Sequence, residues 1–261
     1  MRKIIIAVIA VPALFWMAWI SFPASSIQAI IEDSVNGGPL EIEVKGLNKG
    51  LFYTVDIDTL TLKTRRNEFV SFKDIYGRVN PLNFLMLKLD LSAQGHIGQG
   101  DISGHVIFSK NRIDGGFRFL RMSLGELQFL KREGISGTGT LDGSFVLRDS
   151  AGHLDFITKD AQFEQADFSG IRVPLNLFHT VSGSLDIQGN VVQIAAISLE
   201  GKDIYAKLKG TIRDAGMDMS MEFMPGKSYA ENPLVLAGIE PYKISPGYYV
   251  IPVKGDLLKS F

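Results

Sequence analysis

Between Lys3 and Glu32 the chain carries no charged side chain. The densest part of this run, Ile4 to Ile20, reads IIIAVIAVPALFWMAWI. Ser21, Phe22 and Pro23 extend it to the roughly 20 helical residues that a bilayer core of about 30 Å requires. Trp16, Trp19 and Phe22 gather toward its far end, where aromatic rings favour the membrane–water interface. Arg2 and Lys3 precede the run, and Glu32 and Asp33 follow it, so the positive-inside rule keeps the N-terminus in the cytoplasm. Pro12 lies mid-segment and bends a membrane helix without forbidding it. The expectation is a bacterial inner-membrane protein with a single pass, its anchor at residues 1–26 and a periplasmic β-rich domain at 27–261. Ile4, Trp16, Trp19 and Ile20 mark the anchor. Two other readings stay open. Ala24-Ser25-Ser26 offers small residues for signal-peptide cleavage, although the run is long and carries two bulky tryptophans. A buried helix of a soluble protein satisfies the same composition.

The rest of the chain alternates with period two. Leu40, Ile42 and Val44 interleave with Glu41, Glu43 and Lys45. Val55 and Ile57 continue the pattern, and Leu60 and Leu62 resume it on the opposite parity, which predicts a bulge or turn between them. Further alternations run through Leu85, Leu87, Leu89 and Leu91, through Phe117 and Phe119, and through Met217, Met219, Met221 and Phe223. Such spacing predicts strands with one apolar face. The 27 glycines spread along the chain suit the many turns of an all-β fold.

Composition narrows the function classes. The 27 Lys+Arg balance 28 Asp+Glu, so no basic excess points to nucleic acid. Cysteine is absent, which removes disulfides, thiolate metal sites and cysteine nucleophiles. No cofactor motif stands out: Gly137-Thr-Gly139-Thr-Leu-Asp-Gly143 approaches a phosphate-binding loop, but strand residues follow it where a helix is needed. His96, His105, His153 and His179 are scattered, without a neighbouring carboxylate at ligand spacing, and no G-x-S-x-G elbow is present. Catalytic, cofactor and metal residues are therefore all expected to be absent, and a periplasmic enzyme is the minority alternative.

Three local signals interrupt the strands. Ile27 to Val35 reads as a short amphipathic helix stopped by Asn36-Gly37-Gly38-Pro39. Leu120, Leu124 and Leu127 have helical spacing, and Ser123 with Glu126 forms a capping-box pattern, which predicts a helix over Leu124 to Lys131. Gly189-Asn190 predicts a tight hairpin turn. A loose similarity relates GDISGHVIF (100–108), GTLDGSFVL (139–147), VSGSLDI (181–187) and LKGTI (208–212), read as strands that bend at a glycine.

GPLEIEVKGLNKGLFYTVDIDTLTLK, SLGELQFLKREGISGTGTLDGSFVL, VSGSLDIQGNVVQIAAISLEGKDIYAKLKGTI and the closing YYVIPVKGDLL, taken together, resemble the type II secretion system protein N (GspN) family and the related AsmA-like periplasmic proteins. The resemblance spans most of the chain and implies a mainly β fold: an N-terminal transmembrane helix, then a long, curved, largely antiparallel sheet with one short internal helix. An open, taco-like groove and a two-sheet sandwich both remain open as its arrangement. For the first family it implies a non-catalytic role beside other secretion-system subunits at the inner membrane, and for the second an apolar face that carries lipid. A sheet with few helices to cover it must close, pair with another sheet, or keep a face for a ligand. The candidate contact face for acyl chains or partner subunits is Leu85, Leu87, Leu89, Leu91, Phe117, Phe119, Met217, Met219, Met221 and Phe223.

Overall fold

A computed structural model describes residues 2–35, 40–64, 68–84, 86, 88–109, 112–132, 134–149, 151–164, 166–168, 171–173, 175–214, 216–227 and 239–256. Two helices, α1 (Arg2–Ser21) and α2 (Ala24–Val35), precede a mainly β body. The strands are β1 (Leu40–Lys49), β2 (Thr54–Thr64), β3 (Glu68–Val79), β4 (Leu89–Ile97), β5 (Gly100–Ser109), β6 (Arg112–Ser123), β7 (Gly137–Arg148) and β8 (Ala151–Phe163). They continue with β9 (Ala166–Phe168), β10 (Ile171–Val173), β11 (Phe178–Gln188), β12 (Val191–Gly201), β13 (Ile204–Arg213), β14 (Gly216–Pro225), β15 (Lys243–Ser245) and β16 (Tyr248–Asp256). Single helical turns α3 (Pro81–Phe84) and α4 (Gln128–Arg132) lie between strands. Among the described residues, fourteen strands form one sheet in the order β1 to β8, β11 to β14, β16, β15, and β9 and β10 form a separate hairpin. The order is linear, with β1 and β15 at its edges, so the two-sheet sandwich gives way to a single open antiparallel sheet. By internal packing the chain divides into two units, Met1–Gly116 and Phe117–Phe261.

In the first unit α2 forms as its sequence predicts and lies on β1. Ile27 and Ile31, one helical turn apart, are fully buried, as is Val44 on the strand. The helix is also tied to the strand backbone. Gln28 Nε2 donates to the Val44 carbonyl at 3.0 Å, and the Val44 N–H donates to Glu32 Oε1 at 3.0 Å. The break predicted between Ile57 and Leu60 is absent from β2, which runs unbroken. It falls on the neighbouring strands instead, at Gly46 (φ 68°) of β1 and Asp74 (φ 50°) of β3. Leu85 to Leu91 is not one strand. Asn80 Oδ1 accepts the Leu82 N–H at 3.1 Å and caps a helical turn opened by Pro81, so β4 begins only at Leu89.

The charge-free run does not form one straight spanning helix. In α1 the side chains described begin at Pro12, which leaves Ile4 outside them. Among the described residues no single helix is long and apolar enough to cross a membrane, whereas Pro12–Ser21 with Ala24–Ser34, bent by 78°, passes by length and composition as a pair. The boundary expected at residue 26 falls inside α2. Trp19, expected at a lipid interface, is 0% exposed and packs on the β1–β2 hairpin. Its indole N–H donates to the Gly50 carbonyl at 2.8 Å, and its ring meets Tyr53 at 5.4 Å between centroids. Lys49 closes the helix. Its ammonium donates to the carbonyls of Trp19 (2.6 Å), Ile20 (3.0 Å) and Phe22, and lies 5.1 Å from the Trp19 ring centroid. These carbonyls lie at the helix C-terminus, where the negative pole of the helix dipole favours a cation. Desolvation holds the Lys49 pKa below its ordinary value. Trp16 and Ile20, by contrast, are exposed.

In the second unit the Gly189-Asn190 turn joins β11 to β12 as predicted, with Gly189 at φ 57°. The helix predicted over Leu124 to Lys131 is split. A 3-10 turn at Leu124–Glu126 ends at Leu127 (ψ 95°) before α4 begins, and Ser123 makes no capping bond. Leu124 and Leu127 are buried, but Leu120 belongs to β6 and points outward. The helical spacing of these leucines spans a strand and two turns.

Replacing Trp19 with alanine is expected to cost about 3–5 kcal/mol, the range for deleting a fully buried aromatic ring. The exposed Trp16, changed the same way, is expected to cost well under half of that. Urea denaturation of the two variants side by side measures the difference.

Candidate functional site

The second unit presents one apolar face, built by register. One row of paired residues runs Gly143, Phe156, Gly183, Ile197, Leu208, Met221, Ile251 across β7, β8, β11, β12, β13, β14 and β16. A second starts Phe145, Leu154, Leu185, Ile194 and ends at Met219 and Val253. Directly paired residues share a face in an antiparallel sheet, so these rows are continuous apolar stripes crossing the strands. At about 4.8 Å per strand, a row of seven strands measures about 29 Å along the sheet. Most of these side chains are half-buried; Ile194 and Met219 are buried. The helical turns that touch these strands are short: Leu124–Glu126 on β7, Leu175–Leu177 on β8 and Glu240–Tyr242 on β16.

Glycines make room for the rings. A Cβ on Gly183 would overlap the Phe156 ring, one on Gly152 would press on the Phe145 ring, and one on Gly143 would overlap both the Phe119 ring and the Asp155 carbonyl oxygen. Within the glycine repeat seen in the sequence, Gly143 and Gly183 are seats for cross-strand aromatic rings, whereas Gly139 (φ 110°) and Gly210 (φ 144°) take the bent backbone expected of it. Thr158 is the buried polar member of this face, and its hydroxyl accepts the Val181 N–H at 2.7 Å.

The opposite face carries the charge. Lys159 pairs with Asp142 at 2.6 Å, and Lys209 pairs with Glu222. The Arg121 backbone N–H, at φ 55°, donates to Asp142 at 2.6 Å, and this bond first, then Lys159, holds the Asp142 pKa below its ordinary value. His153 is bridged by Asp186 across the strands (2.7 Å) and by Asp155 along its own strand (2.9 Å). The reading that the histidines lack carboxylate neighbours is thus corrected. His96 meets Asp101 at 3.2 Å and His105 meets Asp90 at 2.5 Å as well. Among the described residues, no group of three or more His, Asp or Glu side chains is arranged to hold a metal ion.

The structure separates the expected contact residues. Leu85 and Leu87 lie outside the described residues. Leu89 and Leu91 are buried in the core of the first unit, where Leu91 lies over Gly77. Phe119 stands on the apolar face of the second unit through its contact with Gly143, and Phe117 shares its parity. Met217, Met219 and Met221 lie on that face as well. Phe223 does too, but it packs into a small core with Phe178, Ile204, Ala206, Leu177 and Leu199, so the stripe is closed at that end. Beside this core a cavity of about 480 Å³ is lined by Phe163, Phe178, His179 and Lys202 among others. Phe156, Leu154, Leu185, Ile197 and Ile251 complete the face but were missed, because only the pairing of their strands shows which alternations share a side. For Phe156 and Ile197 the glycines paired with them, Gly143 and Gly183, were the available signal. Comparison with family models, with curated proteins and with solved structures gives no match.

Two measurements probe this arrangement. Gly143→Ala is expected to destabilise more than Gly183→Ala, because the first meets a backbone oxygen and the second only a ring that can rotate. Costs of about 1–3 kcal/mol are typical of overpacking, and adding Phe156→Leu is expected to rescue Gly183→Ala alone. The two hydrogen-bonded carboxylates, Asp186 first, raise the His153 pKa above its ordinary 6.5. Its bridge therefore stabilises fully below about pH 6.5 and fades as pH rises through the raised folded value. The group is half-exposed, so the contribution is small. An NMR titration of the imidazole is expected to show a raised midpoint that falls in Asp186→Asn.

Proposed function

We propose that this chain is a non-catalytic periplasmic protein tethered to the bacterial inner membrane, and that the apolar face of its second unit holds lipid acyl chains or an apolar surface of a partner subunit. The observation that carries the reading is the set of register-matched apolar rows crossing seven strands, half-buried and flanked, among the described residues, by short turns. Burying apolar area contributes about 25 cal/mol per Å², so an acyl chain lying along a row would be held by several kcal/mol. Met219 and Met221 suit ligands of varied shape, because thioether side chains adapt. The charge-free run from Ile4 to Ile31 supports the tether, with the N-terminus in the cytoplasm.

The resemblance to the type II secretion protein N family favours one setting for this activity, as an accessory of the secretion machine beside its other subunits. The AsmA-like resemblance favours lipid handling in the envelope. Both settings use the same face.

Photo-activatable methionine introduced into the full chain in native membranes is expected to cross-link acyl chains or a partner subunit at positions 219 and 221. Met221→Lys is expected to abolish the adduct at position 219 while strand content by circular dichroism is retained. Cross-links to water-exposed positions alone would reject the reading. Deleting the gene is expected to reduce exoprotein export, and unchanged export with the rest of the machine present would remove the secretion setting.

A further inference from the structure

We infer that one end of the first unit's sheet, the end from which α1 departs, seats in the lipid headgroup layer with Leu51, Phe52, Leu82 and Met86 as its inserted tips. This rests on the membrane tether proposed above and adds a second, independent contact with the bilayer. The β1–β2 turn (50–53) and the β3–β4 connection (80–88) lie at the same end, because Thr54 pairs with Arg78 and the Val79 N–H donates to the Tyr53 carbonyl at 2.7 Å. The last turns of α1 reach that end too. Trp19 Nε1 donates to the Gly50 carbonyl at 2.8 Å and Trp16 Nε1 to the Leu51 carbonyl at 3.0 Å.

The apolar tips are strongly exposed: Leu51 63%, Phe52 72%, Leu82 68% and Met86 69%. They sit on backbones that are held from within. The Gly50 N–H donates to the Thr54 carbonyl at 2.9 Å. Asp90, 6% exposed, accepts the side-chain amides of Asn80 (3.1 Å) and Asn83 (2.5 Å) and also meets His105. Polar groups of the connections thus turn inward and large apolar side chains turn outward. That is the arrangement a bilayer requires and water disfavours. The occupant is a bilayer because the indole bonds of Trp16 and Trp19 join the β1–β2 turn to the end of α1, the helix of the charge-free run. Lys88, exposed beside Met86, is placed to meet a lipid phosphate.

The absence of cysteine makes the test direct, since one introduced thiol is the only labelling site. The full chain is reconstituted in phosphatidylethanolamine–phosphatidylglycerol vesicles containing spin-labelled lipid. Single variants Leu14→Cys, Phe52→Cys, Met86→Cys and Gln99→Cys carry an environment-sensitive fluorophore. Gln99 lies at the far end of β4 and serves as the water-exposed reference. Blue-shifted emission that the lipid quenches at positions 14, 52 and 86, with none at 99, is the expected result. Quenching at 14 without quenching at 52 and 86 overturns the inference and leaves the tether standing. No quenching at 14 rejects the tether, and no quenching at 52 and 86 rejects the seated edge whatever position 14 shows.

Discussion

Strand register is the constraint on which the rest of this structure depends. The side-chain period of a strand is two residues, so a slip of one position would turn every apolar residue of that strand to the charged face. Across the second unit the pairing keeps Phe156 opposite Gly183, Leu208 opposite Met221 and Met221 opposite Ile251. Several features hold that alignment. The Gly189-Asn190 turn fixes β11 against β12, and ring-on-glycine contacts at Gly143 and Gly183 tolerate no shifted neighbour. Charged pairs such as Lys159 with Asp142 collect on the other side. A face with apolar rows behind it and ionic pairs in front has one favourable orientation toward water, and that asymmetry is what makes a ligand-bearing side definable.

The first unit solves a different problem, which is how to join an apolar helix to a sheet. Lys49 does this at the end of β1 by donating to the carbonyls of the α1 C-terminus, while its ammonium lies over the Trp19 ring, which leans on Tyr53. A half-buried ammonium without partners would be costly; here three carbonyls and an aromatic ring compensate it. The two indole N–H groups satisfy Gly50 and Leu51 at the same place, so the helix end and the hairpin turn act as one rigid corner.

Much of the strand pattern was legible from alternation alone, because period two is imposed by backbone geometry and needs no partner to be recognised. Met217 to Phe223 and Leu40 to Val44 were read in that way. The misreadings share a cause. Leu85 to Leu91 alternates as a strand would, yet Pro81 and the Asn80 cap set a helical turn first. Leu120, Leu124 and Leu127 are spaced as a helix would space them, yet β6 claims the first of them. In both places local backbone chemistry overrode a side-chain period that fits two structures equally well.

From the sequence alone came the charge-free run, the β class, the α2 amphipathic face, the Gly189-Asn190 turn and the methionine stripe, each a property of neighbours within a few residues. Tertiary structure decided which alternations share a face, that Leu89 and Leu91 enter a core while Met217 and Met221 stay half-buried, and that Trp19 belongs to the protein interior. It also paired His153 with Asp186, 33 positions away. The division has a physical basis. Periodicity and turn chemistry are set by covalent geometry along the chain, whereas burial and register are set by which strand arrives alongside, and that choice is made by contacts between residues far apart in sequence.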